Sequence, residues 1–237
     1  MGEIYPERED TELLRPFARA GPGRRVLDLG TGNGLLALES AASGSRVVAT
    51  DLNPHALREL RRRAGALGLG LEAVRTDLAR GLGRFDRVLA NPPYLPTRRR
   101  ERDPDRWTNL ALDGGPDGCR VLARILGELP EHLVADGRAF VLVSTVQRTS
   151  SLGALARRWR REGGSLRVVA ERNLEGERLS AWELGLGDAP RPVRPPLARR
   201  GGRLPRGSGA RPPSHGRRRT STSPEPGPGR TTVPDGA

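Results

Sequence analysis

Short apolar segments alternate with helix-like segments along the first 189 residues of the chain. The apolar segments have the length of strands, and several are rich in β-branched residues. They lie at Val26–Leu29, Val47–Thr50, Leu71–Arg75, Arg87–Ala90, Ala139–Thr145, Leu166–Ala170 and Leu179–Leu186. Strands separated by helices are typical of a mostly parallel sheet with helices on both faces. We therefore predict an α/β fold with a doubly wound, mostly parallel sheet built from these seven strands.

Helix signals occupy the gaps between these strands. Asn53 can cap a helix and Pro54 suits a first turn, so we predict a helix from this pair to about Ala66. Further helices are predicted over Asp117–Leu129 and Ser150–Arg161. Sheets of this kind bind ligands at the carboxyl ends of their strands. Polar residues that directly follow a strand are therefore the candidate site residues.

The composition of the chain changes at position 190. Residues 190–237 contain 11 Arg against 2 acidic residues, a net charge of +9, and few large apolar residues. Such a segment buries too little surface to offset the entropy of ordering, so we predict a folded domain over 1–189 and a disordered Arg/Pro/Gly-rich tail over 190–237. The tail is either a basic arm that binds nucleic acid or an extension without function. The second interpretation is favoured, because all 41 basic residues are Arg, as GC-rich coding would produce.

The overall charge of +13 is weaker evidence for a nucleic-acid partner than its size implies. Residues 1–189 hold 30 Arg against 26 acidic residues, so the predicted domain is nearly balanced. With Cys119 as the single cysteine and three scattered histidines, we expect neither a disulfide nor a metal site. No apolar run approaches the roughly 20 residues of a membrane helix. The first residues lack the features of a signal peptide, and we expect a cytoplasmic chain without membrane contact.

A glycine-rich turn follows the first predicted strand. Gly30, Gly32 and Gly34 allow the backbone to turn sharply and to approach a ligand closely. The spacing also fits a dinucleotide-binding loop, but Asp28 at the end of the strand would repel a pyrophosphate. The carboxylate of Asp28 can instead accept a hydrogen bond from an ammonium group. This favours S-adenosylmethionine (AdoMet) as the cofactor over NAD.

Acidic residues also end the second and third predicted strands. Asp51 can accept both hydroxyls of a ribose, and Asp77 can accept the amino group of an adenine while a neighbouring backbone N–H contacts the ring. Each acid alone could be an ordinary helix cap. Acids at the ends of three successive strands are much harder to explain as caps, and they indicate a nucleoside site.

The fourth predicted strand ends in Asn91-Pro92-Pro93-Tyr94. The two prolines fix the backbone and remove two donors, so the loop presents two acceptors, the Asn91 side-chain oxygen and the Pro92 carbonyl. A planar –NH2 group has two hydrogens to donate to them, which would aim its lone pair at a methyl donor. Tyr94 could stack on the flat substrate. The pattern predicts transfer of a methyl group to an amide or exocyclic amine.

These residues resemble the HemK-related class I methyltransferases that carry an Asn-Pro-Pro-Tyr motif. The resemblance extends over residues 3–187 and includes three further segments, Tyr5–Thr11, the glycine-rich turn Leu112–Gly118 and the hairpin segment Glu175–Ser180. It implies a Rossmann-like fold of the class I methyltransferases. Because the chain has no room for the N-terminal helical domain of bacterial release-factor methyltransferases, it looks more like the compact archaeal and eukaryotic branch.

The resemblance further implies methylation of the glutamine in the Gly-Gly-Gln loop of a class-1 translation release factor. It assigns the AdoMet carboxylate to Thr11, the methionine and ribose to Asp28 and Gly30, the ribose to Asp51, the adenine to Asp77 and Leu78, and the target amide to Asn91. Members of this branch often work with a small zinc-binding activator subunit, which is a candidate partner here.

Alternative functions stay open at this point. Adenine N6 and guanine N2 methyltransferases of RNA or DNA use the same Asn-Pro-Pro-aromatic logic, although such enzymes usually add a basic nucleic-acid-binding region. A lysine target fits the pair of acceptors less well. A non-catalytic nucleic-acid-binding protein with a relic methyltransferase fold is a further alternative, against which the intact acids and Asn91 argue.

Overall fold

A computed structural model describes residues 9–187 of the chain. Its strands are β1 (Arg25–Leu29), β2 (Arg46–Asp51), β3 (Glu72–Arg75), β4 (Phe85–Ala90), β5 (Leu133–Ser144), β6 (Gly164–Leu174) and β7 (Glu177–Leu186). Its helices are α1 (Glu9–Ala18), α2 (Leu35–Ala42), α3 (Pro54–Ala66), α4 (Arg106–Leu112), α5 (Arg120–His132) and α6 (Thr149–Arg161), with a 3-10 turn at Arg99–Glu101. The predicted tail at 190–237 and most of the Tyr5–Thr11 segment lie outside the described residues.

Within the described residues the strands form one sheet in the order β3-β2-β1-β4-β5-β7-β6. The pairs from β3 to β5 are all parallel, and β7 runs antiparallel to both β5 and β6. The predicted mostly parallel, seven-stranded, doubly wound sheet is confirmed. Since β1 to β4 are neighbours and run in one direction, their carboxyl ends meet at one edge, which places the candidate site there.

Apolar side chains form one core on each face of the sheet. On one face α1, α2 and α3 pack through residues such as Leu14, Leu36 and Leu60, and Phe17 stacks on Phe140 of β5 at 4.7 Å between ring centroids. On the other face, α5 and α6 pack against the strands, and Trp159 is buried there. Helices on both faces complete the predicted layers.

The predicted element boundaries agree with the structure where capping signals are strong. The helix that begins at Pro54 ends at Ala66, as expected, and the Asn53 side chain accepts a hydrogen bond from the His55 N–H at 2.9 Å. The helix predicted from Asp117 begins only at Arg120, because Gly118 adopts a left-handed φ of +74° that ends the preceding turn.

Two helices were not predicted. The helix α1 is short and contains Pro16, which is unfavourable inside a helix, and α4 buries none of its residues completely. No helix among the described residues is long and apolar enough to cross a bilayer.

Candidate active site

A cleft of about 170 Å³ opens at the carboxyl ends of β1, β2, β3 and β4. Most of the residues predicted from the sequence line it, namely Thr11, Asp28, Gly30, Gly32, Asp51, Asp77, Leu78, Asn91 and Pro92. Tyr94 and Gly34 are not among the lining residues. The sheet order thus brings together side chains that are far apart in the sequence.

The glycine turn forms one wall of this cleft. Gly30 and Gly32 have φ values of +65° and +52°, which an L side chain rarely adopts. A Cβ at Gly30 would meet nothing within 4 Å, and a Cβ at Gly32 would lie 3.9 Å from the Gly30 carbonyl oxygen. Gly34, at the start of α2, has a different role, because a Cβ there would lie 2.6 Å from a methyl carbon of Leu60. Gly34 therefore permits close packing of α2 on α3, and its assignment as a cofactor contact stays a prediction.

Asp28 lies at the bottom of the cleft and is only 2% exposed. Its Oδ2 accepts hydrogen bonds from the Thr31 hydroxyl at 2.7 Å and from the Ala37 N–H at 3.1 Å. Burial raises the pKa of Asp28 to about 7, and these two hydrogen bonds oppose the shift. A cationic ligand group beside this carboxyl would favour its charged form.

Asp51 connects the glycine turn to the start of α3. Its Oδ2 accepts the Gly32 N–H at 2.9 Å and its Oδ1 accepts the Asn53 N–H at 2.7 Å. Burial raises the pKa of Asp51, and the backbone N–H groups oppose that shift. Each carboxyl oxygen keeps lone-pair capacity for a further donor, as a pair of ribose hydroxyls would require.

Asp77 and Leu78 line the cleft beyond β3. The Arg124 guanidinium of α5 donates to Asp77 Oδ2 at 2.8 Å and also lines the cleft. Leu78 has a φ of +51°. Among the described residues, every other residue with a positive φ is a glycine. Such a conformation is retained where surrounding structure imposes it, often at ligand sites. Sequence reasoning missed Arg124, because nothing local to residue 124 connects it with residue 77.

Asn91 is tied to helix α1 by its side-chain nitrogen. Asn91 Nδ2 donates to the Thr11 hydroxyl oxygen at 3.0 Å, and the Tyr94 hydroxyl donates to Asp10 Oδ2 at 3.4 Å. Asp10 is 4% exposed, and its Oδ1 accepts the Thr11 N–H at 2.7 Å. The hydroxyl end of Tyr94 therefore contacts α1, and stacking of its ring on a substrate stays a prediction. Sequence analysis included Asp10 only as a member of the Tyr5–Thr11 segment.

A turn behind the Asn91–Tyr94 loop fixes its backbone. Beyond the loop, the Leu95 N–H donates to the Leu112 carbonyl at 3.1 Å and the Gly114 N–H donates to the Leu95 carbonyl at 3.0 Å. Gly118 packs so closely that a Cβ there would clash with the Tyr94 carbonyl. The glycine-rich turn recognised in the sequence thus serves as the support of the loop.

Helix α4 covers part of the cleft. Trp107 lines it together with Leu110 and Ala111, and its indole meets the His55 ring edge-on at 5.9 Å between centroids. The three arginines before α4, at 98–100, are exposed.

Comparison with known proteins assigns the family. A model of the methyltransferase small domain matches residues 10–104. A relative from Methanocaldococcus jannaschii is provisionally named a protein N5-glutamine methyltransferase. It is 35% identical over 146 residues, which cover 61% of this chain and 74% of that protein. This chain belongs to the HemK-like methyltransferases.

Two further relatives agree with this assignment. The release factor glutamine methyltransferase of Deinococcus radiodurans is 40% identical over 144 residues, which cover 55% of this chain and 50% of that protein. Among solved structures, the E. cuniculi Mtq2–Trm112 complex, described as responsible for methylation of the eRF1 termination factor, matches with a TM-score of 0.60 and 27% identity over 77% of this chain and 98% of that one. The HemK-like chain is thus an AdoMet-dependent methyltransferase with the Rossmann-like fold of its relatives.

Proposed function

We propose that this HemK-like chain methylates the side-chain amide nitrogen of a protein glutamine, and that the Gly-Gly-Gln loop of a class-1 translation release factor is its substrate. The names of the relatives support this substrate class. The observation that carries the proposal is the orientation of Asn91 at the cleft. The Asn91 Nδ2 donates a hydrogen bond to the Thr11 hydroxyl oxygen, and among residues 9–187 no donor is hydrogen-bonded to Asn91 Oδ1. An acceptor is thereby available at the cleft for a substrate –NH2 group.

The chain's own groups explain how an amide could react. An amide nitrogen is a poor nucleophile because its lone pair is delocalised. Asn91 Oδ1 and the Pro92 carbonyl would each accept one hydrogen of the substrate –NH2. This arrangement favours the pyramidal nitrogen of the transition state over the planar ground state. When bound, AdoMet would supply an electrophilic methyl group on a sulfonium, and the substrate nitrogen held by Asn91 and Pro92 would give up one proton to solvent on accepting it.

The cleft fits AdoMet by its own chemistry. We propose that Gly30 and Gly32 leave room for the methionine moiety, that Asp28 pairs with its ammonium, and that Asp51 accepts the ribose hydroxyls. Asp77 would accept the adenine amino group through the oxygen that Arg124 leaves, next to the Leu78 backbone. Thr11 lines the same cleft, where the methionine carboxylate is its expected ligand by resemblance.

The test is a transfer assay with radiolabelled AdoMet on a purified class-1 release factor and on bulk RNA in parallel. Wild-type protein should label the release factor, and replacement of the glutamine in its Gly-Gly-Gln loop should abolish the label. Asn91→Ala should bind AdoMet normally but lose at least about 10²-fold in kcat, because a hydrogen bond of the transition state is removed. Asn173→Ala, in the exposed part of β6, is the matched control.

Other outcomes would redirect the proposal. Label on RNA alone would make the chain a nucleobase amino methyltransferase. A parallel loss of AdoMet affinity and turnover in Asn91→Ala would show that Asn91 holds the cofactor. The E. cuniculi relative was solved as a complex with Trm112, so we also propose a small zinc-binding activator subunit as partner. Label that appears only after addition of such a subunit would establish it.

A further inference from the structure

Thr11 lies between a buried carboxylate and the amide of the reaction loop. Its hydroxyl oxygen is 3.3 Å from Asp10 Oδ1 and 3.0 Å from Asn91 Nδ2. The backbone N–H of Thr11 donates to the same Asp10 oxygen at 2.7 Å. These contacts join the first turn of α1 to the Asn91–Tyr94 loop, although 80 positions of the sequence separate Thr11 from Asn91.

The carboxylate decides which way the hydroxyl proton points. A hydroxyl has one proton to donate and two lone pairs, whereas an ionised carboxylate can only accept. The Thr11 proton therefore goes to Asp10, and a lone pair of its oxygen is left for Asn91. Only the nitrogen end of the Asn91 amide can donate to that lone pair, so the oxygen end is directed away from Thr11.

The opposite orientation would be incompatible with an –NH2 substrate. If the Thr11 hydroxyl donated to Asn91, the amide would turn by half a rotation and present its own –NH2 toward the substrate. Two donors would then face each other, and the substrate hydrogens would have no acceptor. The orientation of one amide thus determines whether the loop can recognise its target.

We propose that Thr11, with its proton directed by Asp10, is a positioning residue that holds the Asn91 amide with its oxygen toward the substrate. The inference rests on the proposed role of Asn91 in glutamine methylation, and it goes beyond a cofactor contact of Thr11. Asp10 also accepts the Tyr94 hydroxyl at 3.4 Å. One carboxylate of α1 therefore contacts the loop through Tyr94 directly and through Thr11 to Asn91.

The kinetic test compares two substitutions of nearly equal size. Thr11→Val removes the hydroxyl with little change in shape and should lower kcat by about tenfold to a hundredfold, as a slight misplacement of a reacting group does. Thr11→Ser restores the hydroxyl and should recover most of that loss. Because the methionine carboxylate is also an expected ligand of Thr11, kcat is measured at saturating AdoMet, and the AdoMet Kd of each variant is measured separately by calorimetry. Thr149→Val, the same substitution at an exposed position of α6, is the matched control.

A double substitution separates this inference from the proposed function. Thr11 acts through Asn91, so Thr11→Val should cost nothing further in an Asn91→Ala background. If Asn91→Ala retains full turnover, the proposed function fails with it. If Asn91→Ala loses turnover but Thr11→Val does not, or Thr11→Val only weakens AdoMet binding, the positioning role alone is overturned.

A spectroscopic measurement tests the same contact without any substrate. The side-chain Nδ2 protons of Asn91 can be identified in a 15N–1H spectrum by their disappearance in Asn91→Ala. Thr11→Val should shift these resonances and speed their exchange with water, and Thr11→Ser should return them close to the wild-type position. Unchanged Asn91 resonances in Thr11→Val would overturn the proposed hydrogen bond even if every variant were inactive.

Discussion

Asp28, which is buried, and Asp51, which is partly buried, are two carboxyl groups that line the cleft. Within residues 9–187 neither of them forms an ion pair. Both accept hydrogen bonds only from uncharged donors, such as the Thr31 hydroxyl and the Gly32 N–H. Burying a charge in this way is costly unless a partner is supplied, and burial raises the pKa of both groups. A cationic group of the bound ligand would offset this cost at Asp28.

We predict that AdoMet binding releases a proton from Asp28. The apo pKa is about 7, so at pH 6 the carboxyl is mostly protonated, and an ammonium group beside it would favour the ionised form. Affinity should therefore rise with pH up to about 7 and then level off. Calorimetry at pH 6 in buffers of different ionisation enthalpy measures the released proton directly. Asp28→Asn is the control that separates Asp28 from Asp51, and a wild-type protein that releases no proton would contradict the prediction.

The same shift fixes the sign of a pH effect on folding without ligand. The folded pKa of Asp28 is raised from 3.8 to about 7, so the folded state binds the extra proton between these values. The contribution of Asp28 to the free energy of unfolding is then complete below about pH 4 and is lost as the pH rises through 7. Urea unfolding of wild type and Asp28→Asn between pH 5 and 8 should show a decline that the variant lacks.

At the level of elements, the sequence predicted what local chemistry specifies. The ends of the first four strands and the start of α3 follow from apolar runs and from Asn53 and Pro54, and the structure confirms them. The left-handed backbone at Leu78 and the contact of Tyr94 with Asp10 could not be predicted, since both are imposed by residues distant in the chain. Secondary-structure propensity reflects only the local segment, whereas these two features depend on residues that pack against it from elsewhere in the chain.

The support of the reaction loop by the glycine-rich turn leads to a prediction for Gly118. Gly118 has a φ of +74°, and a Cβ there would clash with the Tyr94 carbonyl. Gly118→Ala should destabilise the fold for two reasons. A non-glycine residue in a left-handed conformation costs about 1–2 kcal/mol, and overpacking against the Tyr94 carbonyl adds about 1–3 kcal/mol. The loop that carries Asn91 should shift as a result, with a loss of turnover.

Gly176 provides a matched control for this substitution. It lies in the turn between β6 and β7 with a φ of +78°, and nothing lies within 4 Å of its Cβ position. Gly176→Ala should therefore cost only the backbone strain and leave turnover intact. Urea unfolding gives the two free energies, and equal values for the two variants would show that Tyr94 is not constrained by Gly118.

At the scale of the whole molecule, the sheet order creates the site. Thr11, Asp28, Asp51, Asp77 and Asn91 span 80 positions of the sequence, yet all line one cleft. The sequence could predict that each acid ends a strand, because each follows an apolar run. It could not predict that α5 would bring Arg124 to Asp77, because that contact depends on how α5 packs against the finished sheet.

The charge distribution over the chain gives the last prediction. Residues 190–237 hold a net charge of +9, while residues 1–189 hold +4. Catalysis as proposed uses only residues of the first segment, so a chain ending at residue 189 should methylate a release factor at the wild-type rate and unfold at the same urea concentration. Its affinity for RNA should fall, because the arginines that release counterions from phosphate are removed. RNA binding measured from low to high salt checks this, and replacement of Arg217, Arg218 and Arg219 by Gln should give an intermediate salt dependence. A truncated chain that no longer labels the release factor would show that the tail is part of substrate recognition.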